Sequence, residues 1–421
     1  MKVLWFTNTP CGATEFLTGE PVTGGGWLYA LSEQLAKEPN IELHIAFYWG
    51  KCRDAFVYNG IYYHPILRED DKNKWTRMIG RYKNAYRRNL PGTTCSRFIP
   101  VINSILPDII HIHGSEEDFG FIAEEKLSCP LVLSIQGLLS PCYYKLYAGY
   151  GKKEISQHEG IMKKLIASGI SITDRRMRRR AEDERLFLHL IPNIIGRTFW
   201  DRACSLAMNP SRRYFEVDEI LRPEFYAVQW KKTTFNSPIC IISTISNGIY
   251  KGIETIFHTA RVLNDSGVSF VWKVIGVSSD NLLVQLAQKQ VKQSSTELHI
   301  DLLGKKDAHQ MISLMQQADL FVQTSHIENS PNSLCEAMLI GMPIIATFAG
   351  GTASMLENNE EGRLVQDGDP YILAGVIMEM SSNFDSAKNM GRRASERAKI
   401  RHAPERVCKQ LYDVYLAIIN R

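Results

Sequence analysis

The chain has no long apolar run. Nothing in its 421 residues approaches 18 consecutive apolar positions, the minimum for a helix that spans a bilayer. The amino terminus, MKVLWFTNTP, is a short apolar strand followed by polar residues and Pro10. It has neither the apolar core of a secretory leader nor the pattern of a transit peptide. A formal net charge of +4 is too small to argue for nucleic acid, and no nucleic-acid motif accompanies the basic residues. The nine cysteines are scattered, odd in number and without a C-x-x-C pair. That favours free thiols in a reducing compartment over a disulfide framework or a zinc site. No metal-ligand cluster stands out, and there is no internal repeat. These absences lead us to expect a cytoplasmic protein, in the cytosol or peripheral on the cytosolic face of a membrane.

What is present is ordinary globular composition, 44% hydrophobic and 22% charged, in a chain long enough for two cored domains of roughly 100–200 residues each. Both halves alternate buried strands with helical segments. Strands are predicted at 3–7, 42–48, 108–113 and 131–136, then at 239–244, 270–275, 298–303, 320–324 and 343–347. Helical spacing covers 27–37, 253–263, 282–291 and 310–318, and an amphipathic helix is predicted over 405–420. The polar run KKTTFNSP at 231–238 separates the halves.

The most informative stretch is FVQTSHIENSPNSLCEAMLIGMPIIATFAGG, from Phe321 to Gly351. It reads as strand, loop, helix, strand, with Ser330 as N-cap, Pro331 at the first helical position and Gly341 ending the helix. Such a unit belongs to a parallel sheet, where ligands bind beyond the carboxyl ends of the strands. Glu328 in the loop and Glu336 on the helix sit at that edge, with seven residues between them. Leu334, Ala337 and Met338 share one helical face, which predicts that Glu336 points the other way, into the crevice. A carboxylate there suits vicinal hydroxyls such as a ribose diol, and the free N–H groups of Asn332, Ser333 and Leu334 suit a phosphate.

Spacing, loop and helix start resemble the family 4 (group 1) retaining glycosyltransferases. The resemblance is specific over about 240–380, moderate over 1–140 and weak between 150 and 235. It implies an α/β chain of two Rossmann-like domains (GT-B) with a cleft between them and a C-terminal helix crossing back. The domains expected are 1–232 on the acceptor side, 233–400 for the nucleotide sugar, and a helix in 401–421 packing on the first. It further implies that Glu328 faces the donor sugar, Glu336 binds the nucleotide ribose, and the amides of Asn332, Ser333 and Leu334 hold the diphosphate.

Other residues take expected roles by the same resemblance. His111 and His113 alternate on IIHIH and face one side; His113, at the carboxyl edge, is expected to contact the donor sugar or its phosphate, with His111 as fallback. Lys251 is placed to neutralise a departing diphosphate. Ser246 stands where the family usually has an Arg, and Ser354 where it has a Glu. Gly276, Gly304 and Lys305 match places lining the nucleotide base, and Gly351 and Thr352 close the phosphate side. Gly24-Gly25-Gly26, ahead of a helix, lets backbone approach a phosphate or sugar hydroxyl, so Gly25 and Gly26 join the donor site.

The activity expected is transfer of a hexose-type sugar from a nucleotide-diphosphate sugar to a glycan or lipid-linked acceptor, in polysaccharide or envelope glycan biosynthesis. No cofactor and no metal are expected. Alternatives are a sugar-nucleotide isomerase of the 2-epimerase type and a non-catalytic nucleotide-sugar-binding scaffold. Residues 72–97 hold eight Lys/Arg and no Asp/Glu, interleaved with aromatics, and 175–180 reads RRMRRR. Both suit an anionic membrane surface, or simply a solvated basic face.

Overall fold

A computed structural model of the protein describes residues 1–19, 26–51, 53–68, 74–86, 95–160 and 169–420. The chain forms two compact units, one of residues 1–143, 160–220 and 402–421, the other of 144–159 and 221–401.

The first unit is built on eight strands: β1 (Lys2–Thr7), β2 (Glu42–Trp49), β3 (Phe56–Tyr58), β4 (Ile61–Leu67), β5 (Ile109–His113), β6 (Leu131–Ser134), β7 (Asn193–Gly196) and β8 (Arg213–Glu216). Their order is β3-β4-β2-β1-β5-β6-β7-β8, parallel throughout except for the β3–β4 hairpin. Strands β1 and β5 are buried on both faces, as continuous Val/Ile/Leu/aromatic runs require when helices cover a parallel sheet. Strands β3, β4, β7 and β8, at or next to the two edges, escape the sequence pattern because they are short or half exposed.

The last helix, Pro404–Ile419, lays Val407, Leu411, Val414, Tyr415 and Ile418 into this unit's core beside Leu28, Leu31 and Leu35 of the helix Gly26–Leu35. Trp5 Nε1 donates to Tyr415 Oη at 2.8 Å inside that core.

The second unit holds β9 (Ile239–Thr244), β10 (Phe270–Ile275), β11 (Ile300–Leu302), β12 (Leu320–Gln323), β13 (Ile344–Thr347) and β14 (Arg363–Val365), all parallel, in the order β11-β10-β9-β12-β13-β14. The unit begins at Leu221, ahead of the polar run at 231–238, because Leu221, Phe225 and Trp230 are buried in its core. Trp230 fixes this entry twice, through its N–H to Ile340 O (2.7 Å) and its indole N–H to Ala318 O (2.8 Å). The segment 144–159 also belongs here, anchored by Tyr150 Oη donating to Leu283 O at 2.8 Å.

In each sheet the strand order reverses at one place, between β1 and β5 in the first unit and between β9 and β12 in the second. Loops leaving the two flanking strands diverge there and leave a crevice beyond the carboxyl ends.

Candidate functional site

At the second unit's reversal, the loops after β9 and β12 are joined to each other. Thr324 Oγ1 donates to the carbonyls of Lys251 (3.2 Å) and Gly252 (3.0 Å), and the His326 N–H reaches Tyr250 O at 2.8 Å. Gly252 adopts φ +77°, and a Cβ there would lie 2.0 Å from Thr324 O, so only glycine lets the two loops meet. This brings together two residues singled out in the sequence: Lys251 Nζ donates to Glu328 Oε1 at 2.5 Å. Ser325 Oγ donates to the same oxygen at 2.7 Å. The Gly351 N–H then bonds to Glu328 O at 2.8 Å, drawing the Gly350–Thr352 turn against the loop. Thr352 is fully buried, and its hydroxyl has no partner among the described residues.

The helix after Glu328 runs Asn332–Ile340 and ends at Gly341, whose φ is +86°. Its start differs from the expectation. Pro331 occupies the N-cap position with φ −74° and ψ 108°, and no side chain caps it; Ser330 Oγ turns instead to Met355 Sδ at 3.4 Å. The Leu334 N–H bonds to Pro331 O at 3.0 Å, so it is not open to a ligand as expected. Among the described residues, the N–H groups of Asn332 and Ser333 show no such acceptor, and Asn332 is exposed. Ser333 Oγ accepts from Thr244 Oγ1 at 2.7 Å, tying the helix start to the end of β9.

Glu336 is the second correction. Residues 334–340 are all buried, so the helix has no crevice-facing polar side over this span, and Glu336 is only 2% exposed. Its carboxylate is held by both prongs of the Arg222 guanidinium, Nε to Oε1 at 2.6 Å and Nη2 to Oε2 at 2.7 Å. Burial raises its pKa, and the Arg222 hydrogen bonds and charge pull it part of the way back. Arg222 also lies 4.7 Å from the Phe225 ring centroid. The sequence gives no local sign of this partner, which is 114 residues away.

A third buried cluster lies immediately beside Glu328. His326 Nε2 pairs with Glu254 Oε1 at 2.5 Å and Nδ1 with Asp367 Oδ2 at 3.0 Å, while Lys145 Nζ reaches the same Asp367 oxygen at 3.0 Å. Burial pulls the imidazole's pKa down, but the hydrogen bonds and charges of Glu254 and Asp367 outweigh it, so the pKa is raised. His326 thus ties the Glu328 loop to the first turn of the helix Ile253–Asp265 and to the loop after β14. Sequence reasoning read His326 only as loop. Its one signal was a histidine inside the most informative motif.

The remaining donor-side residues sit at strand ends. Ser246 is exposed in the loop after β9. Gly276 follows β10 and Gly304 follows β11, joined by Gly276 N–H to Gly304 O at 2.8 Å, with Lys305 exposed beside them. Gly26 opens the helix Gly26–Leu35, whereas Gly24 and Gly25 lie outside the described residues.

In the first unit, His111 and His113 stack on the same face of β5, ring centroids 3.8 Å apart. His111 is a satisfied core histidine, bonded to Tyr415 Oη and Ser134 Oγ, both at 2.6 Å, and burial, then Arg197, lowers its pKa to about 3. His113 is 2% exposed, and neither ring nitrogen has a partner among the described residues. Burial, then the charges of His111 and Arg197, hold its pKa well below the usual value, so it is neutral.

The two basic stretches behave differently. In 175–180 the arginines are largely matched: Arg178 with Glu182 (3.7 Å), Arg179 with Asp183 (3.9 Å) and Arg180 with Glu117 (3.5 Å). On the helix Lys74–Tyr86, Trp75 (72% exposed), Ile79, Tyr82 and Tyr86 form one exposed face at i, i+4, i+7 and i+11 spacing. Arg87 and Arg88 lie outside the described residues. Among the described residues no helix is long and apolar enough to cross a membrane.

Residues 229–397, the part that carries Lys251, Glu328 and Glu336, match the family model described as glycosyl transferases group 1, so the second unit is a domain of that family. Among curated relatives, the amylovoran biosynthesis glycosyltransferase AmsK of Erwinia amylovora is 25% identical over 167 residues, 38% of this chain and 40% of AmsK. The N-acetyl-alpha-D-glucosaminyl L-malate synthase of Bacillus anthracis is 28% identical over 170 residues, 39% of this chain and 44% of that protein. The chain therefore matches less than half the length of these relatives. Solved structures match over the whole chain. Sucrose-phosphate synthase of Thermosynechococcus elongatus gives a TM-score of 0.70 at 14% identity, covering 100% of this chain and 99% of that one. Anabaena Alr3699/HepE, solved in complex with UDP-glucose, gives 0.64 at 14% identity, covering 99% and 100%. The fold is GT-B, with two Rossmann-like units.

Proposed function

We propose that the protein is a retaining glycosyltransferase that moves a hexose-type sugar from a nucleotide-diphosphate sugar to a glycan or lipid-linked acceptor in polysaccharide or envelope glycan biosynthesis. The observation that carries the reading is the Lys251–Glu328 pair at 2.5 Å, set against the Gly350–Thr352 turn and the first amides of the helix Asn332–Ile340. Lys251 sets its ammonium charge beside Glu328 at the end of the loop after β9, where it can offset the charge of the leaving diphosphate. The amides of Asn332 and Ser333 add the positive end of a helix dipole. Charge develops on the diphosphate as the C1–O bond breaks, so these groups favour the transition state over the ground state. Lys251 and Ser325 both donate to Glu328 Oε1, and Oε2 is proposed to meet a hydroxyl of the donor sugar.

His113 offers one donor and one acceptor to the sugar or its phosphate, and Glu336, held by Arg222, fixes the helix that presents the Asn332 and Ser333 amides. In this reading the nucleotide sugar is a substrate, no cofactor or metal takes part, and the protein works in the cytoplasm, peripherally at an anionic membrane face through the helix Lys74–Tyr86. The AmsK likeness supports the polysaccharide assignment, and the UDP-glucose complex of HepE supports the donor class.

The test is nucleotide release from UDP-, GDP- and ADP-sugars with envelope glycans and glycolipids as acceptors, with the product's anomeric configuration read by NMR. Transfer with retained configuration is expected. Release that yields an isomerised free sugar without an acceptor favours the epimerase chemistry instead, and inverted product removes the retaining assignment.

A further inference from the structure

The segment 144–159 interrupts the sequence of the first unit, 1–143 and 160–220, yet folds as part of the second. No reading above gives this strap a task. Two of its residues meet the two carboxylates that hold His326. Lys145 Nζ donates to Asp367 Oδ2 at 3.0 Å, the oxygen that His326 Nδ1 also meets. Gly149 lies against Glu254: a Cβ there would fall 2.5 Å from both Cγ and Oε1, and Oε1 is the oxygen paired with His326 Nε2. Only a residue without a side chain lets the backbone come this close and leaves Glu254 in place.

The strap is itself fastened within the second unit. Tyr150 Oη donates to Leu283 O at 2.8 Å. Burial, then the charges of Glu254 and Glu154, hold this phenol far above its usual pKa, so it stays a donor. Gln290 Nε2, from the helix Leu282–Val291, reaches Gly149 O at 3.4 Å and Glu154 Oε1 at 3.2 Å. Ile155 is buried, and Lys289 Nζ meets His158 Nε2 at 2.7 Å.

This fastening matters because Glu254 is only half satisfied by its own hydrogen bonds. Oε1 accepts from His326 and from Thr255 Oγ1 (3.2 Å), whereas Oε2 is buried with no partner among the described residues. A buried carboxylate oxygen without a donor gains by turning towards water. Gly149, set against the same side chain, limits that turn. Lys145 also supplies one of the two cations, with protonated His326, that balance Glu254 and Asp367. His326 passes the hold to the reacting loops: its N–H bonds to Tyr250 O at 2.8 Å, one residue before Lys251, and Glu328 follows it by two residues.

We propose that the strap 144–159 positions the transfer site: Gly149 and Lys145 keep Glu254 and Asp367 on His326, and His326 keeps Lys251 and Glu328 in register. This rests on the transferase reading. The strap residues are positioning residues, which act through His326 and touch no substrate.

The test uses the full chain and Gly149→Ala. The φ of Gly149 lies outside the left-handed region, so the new methyl acts through the Glu254 side chain it meets. The measurements are kcat and Kd with a nucleotide sugar that the wild type turns over, and the His326 imidazole titration by NMR, assigned with His326→Gln. Burial lowers the pKa of this imidazole, and Glu254, then Asp367, raise it above the usual value, so displacing Glu254 lowers it. A fall in kcat of about 10–100-fold is expected, the scale for a small misplacement at a reacting centre, with donor Kd little changed and the His326 titration moved down. Tyr150→Phe, which loosens the strap without touching a partner of His326, should move kcat and the titration the same way by less. If Gly149→Ala does not fold, Tyr150→Phe decides by the same readouts. Wild-type kcat with an unmoved titration overturns the proposal and leaves the transferase reading standing. A titration that moves at wild-type kcat makes the strap structural only and overturns its positioning role. A wild type that turns over no donor overturns the transferase reading and the proposal with it, and the titration, which needs no donor, still shows whether the strap holds Glu254.

Discussion

Replacing Arg222 with Ala should destabilise the second unit more than any surface change, and the size follows from what is left behind. Glu336 is 2% exposed while Arg222 is 28% exposed. Removing the arginine strands a carboxylate in a site where burial already raises its pKa and only Arg222 draws it back. Breaking a buried pair from one side costs about 3–5 kcal/mol, because the remaining charge is uncompensated. Removing Glu336 as Gln leaves a guanidinium that can turn to water, so we expect about 1–2 kcal/mol, the scale of a lost charge-assisted hydrogen bond. The double variant Arg222→Ala/Glu336→Gln should recover much of the loss. A carboxyl with raised pKa is most stable when protonated, so the Arg222→Ala deficit should be largest above neutral pH. It should shrink as pH falls towards the ordinary glutamate range. Urea melts of the four proteins at pH 5.5 and 8, followed by circular dichroism, give these numbers. A deficit under about 1 kcal/mol that does not change with pH would refute the stranded-charge argument, and with it the claim that Arg222 holds Glu336 in place.

His326 gives a second pH signature of the same sense, stability again being lost as pH rises. Its raised pKa means that the stability it contributes is fully present below about pH 6.5 and is lost as pH rises through the raised value, so urea midpoints should fall over that window and His326→Gln should flatten the fall; parallel curves for the two proteins would exclude the cluster. Glu328→Ala should lose mainly turnover with donor Kd little changed; isothermal titration beside initial rates tests this, and a weakened Kd at unchanged turnover would remove Glu328 from the reacting-sugar role. The exposed face Trp75–Ile79–Tyr82–Tyr86 should bind anionic vesicles with about 1 kcal/mol per nearby cation, falling as salt rises. Equal co-sedimentation with neutral vesicles, unchanged by Arg77→Gln/Arg81→Gln, would favour a soluble acceptor.

The strands that position the site were legible because a parallel sheet covered on both faces demands continuous apolar runs, and β1, β5, β9 and β12 are such runs. The pairing of Lys251 with Glu328 was legible only as two residues expected at one edge; their bond depends on Thr324 and Gly252, which set how closely the loops approach. Alternation along IIHIH put both histidines on one face, but could not say which is satisfied. That is decided by Tyr415, 304 residues from His111. The same limit explains Glu336. A helical wheel orients a side chain relative to its own helix, whereas what it meets is set by Arg222 from a segment whose sequence carries little pattern.

The hidden partners share a physical form that bears on how the donor edge works. Arg222 on Glu336, Glu254 and Asp367 on His326, and Lys251 on Glu328 are all charged contacts reaching the same loop and helix from different elements. Each buried charge is costly alone and stable only with its partner, so together they penalise any loop position in which one pair is broken. A loop held by three such pairs has few alternative conformations to lose on binding. Orientation at a reacting centre is worth several kcal/mol only when the groups are already in place. On this argument substitutions at His326 and Arg222 should lower turnover, although neither residue is expected to touch the donor.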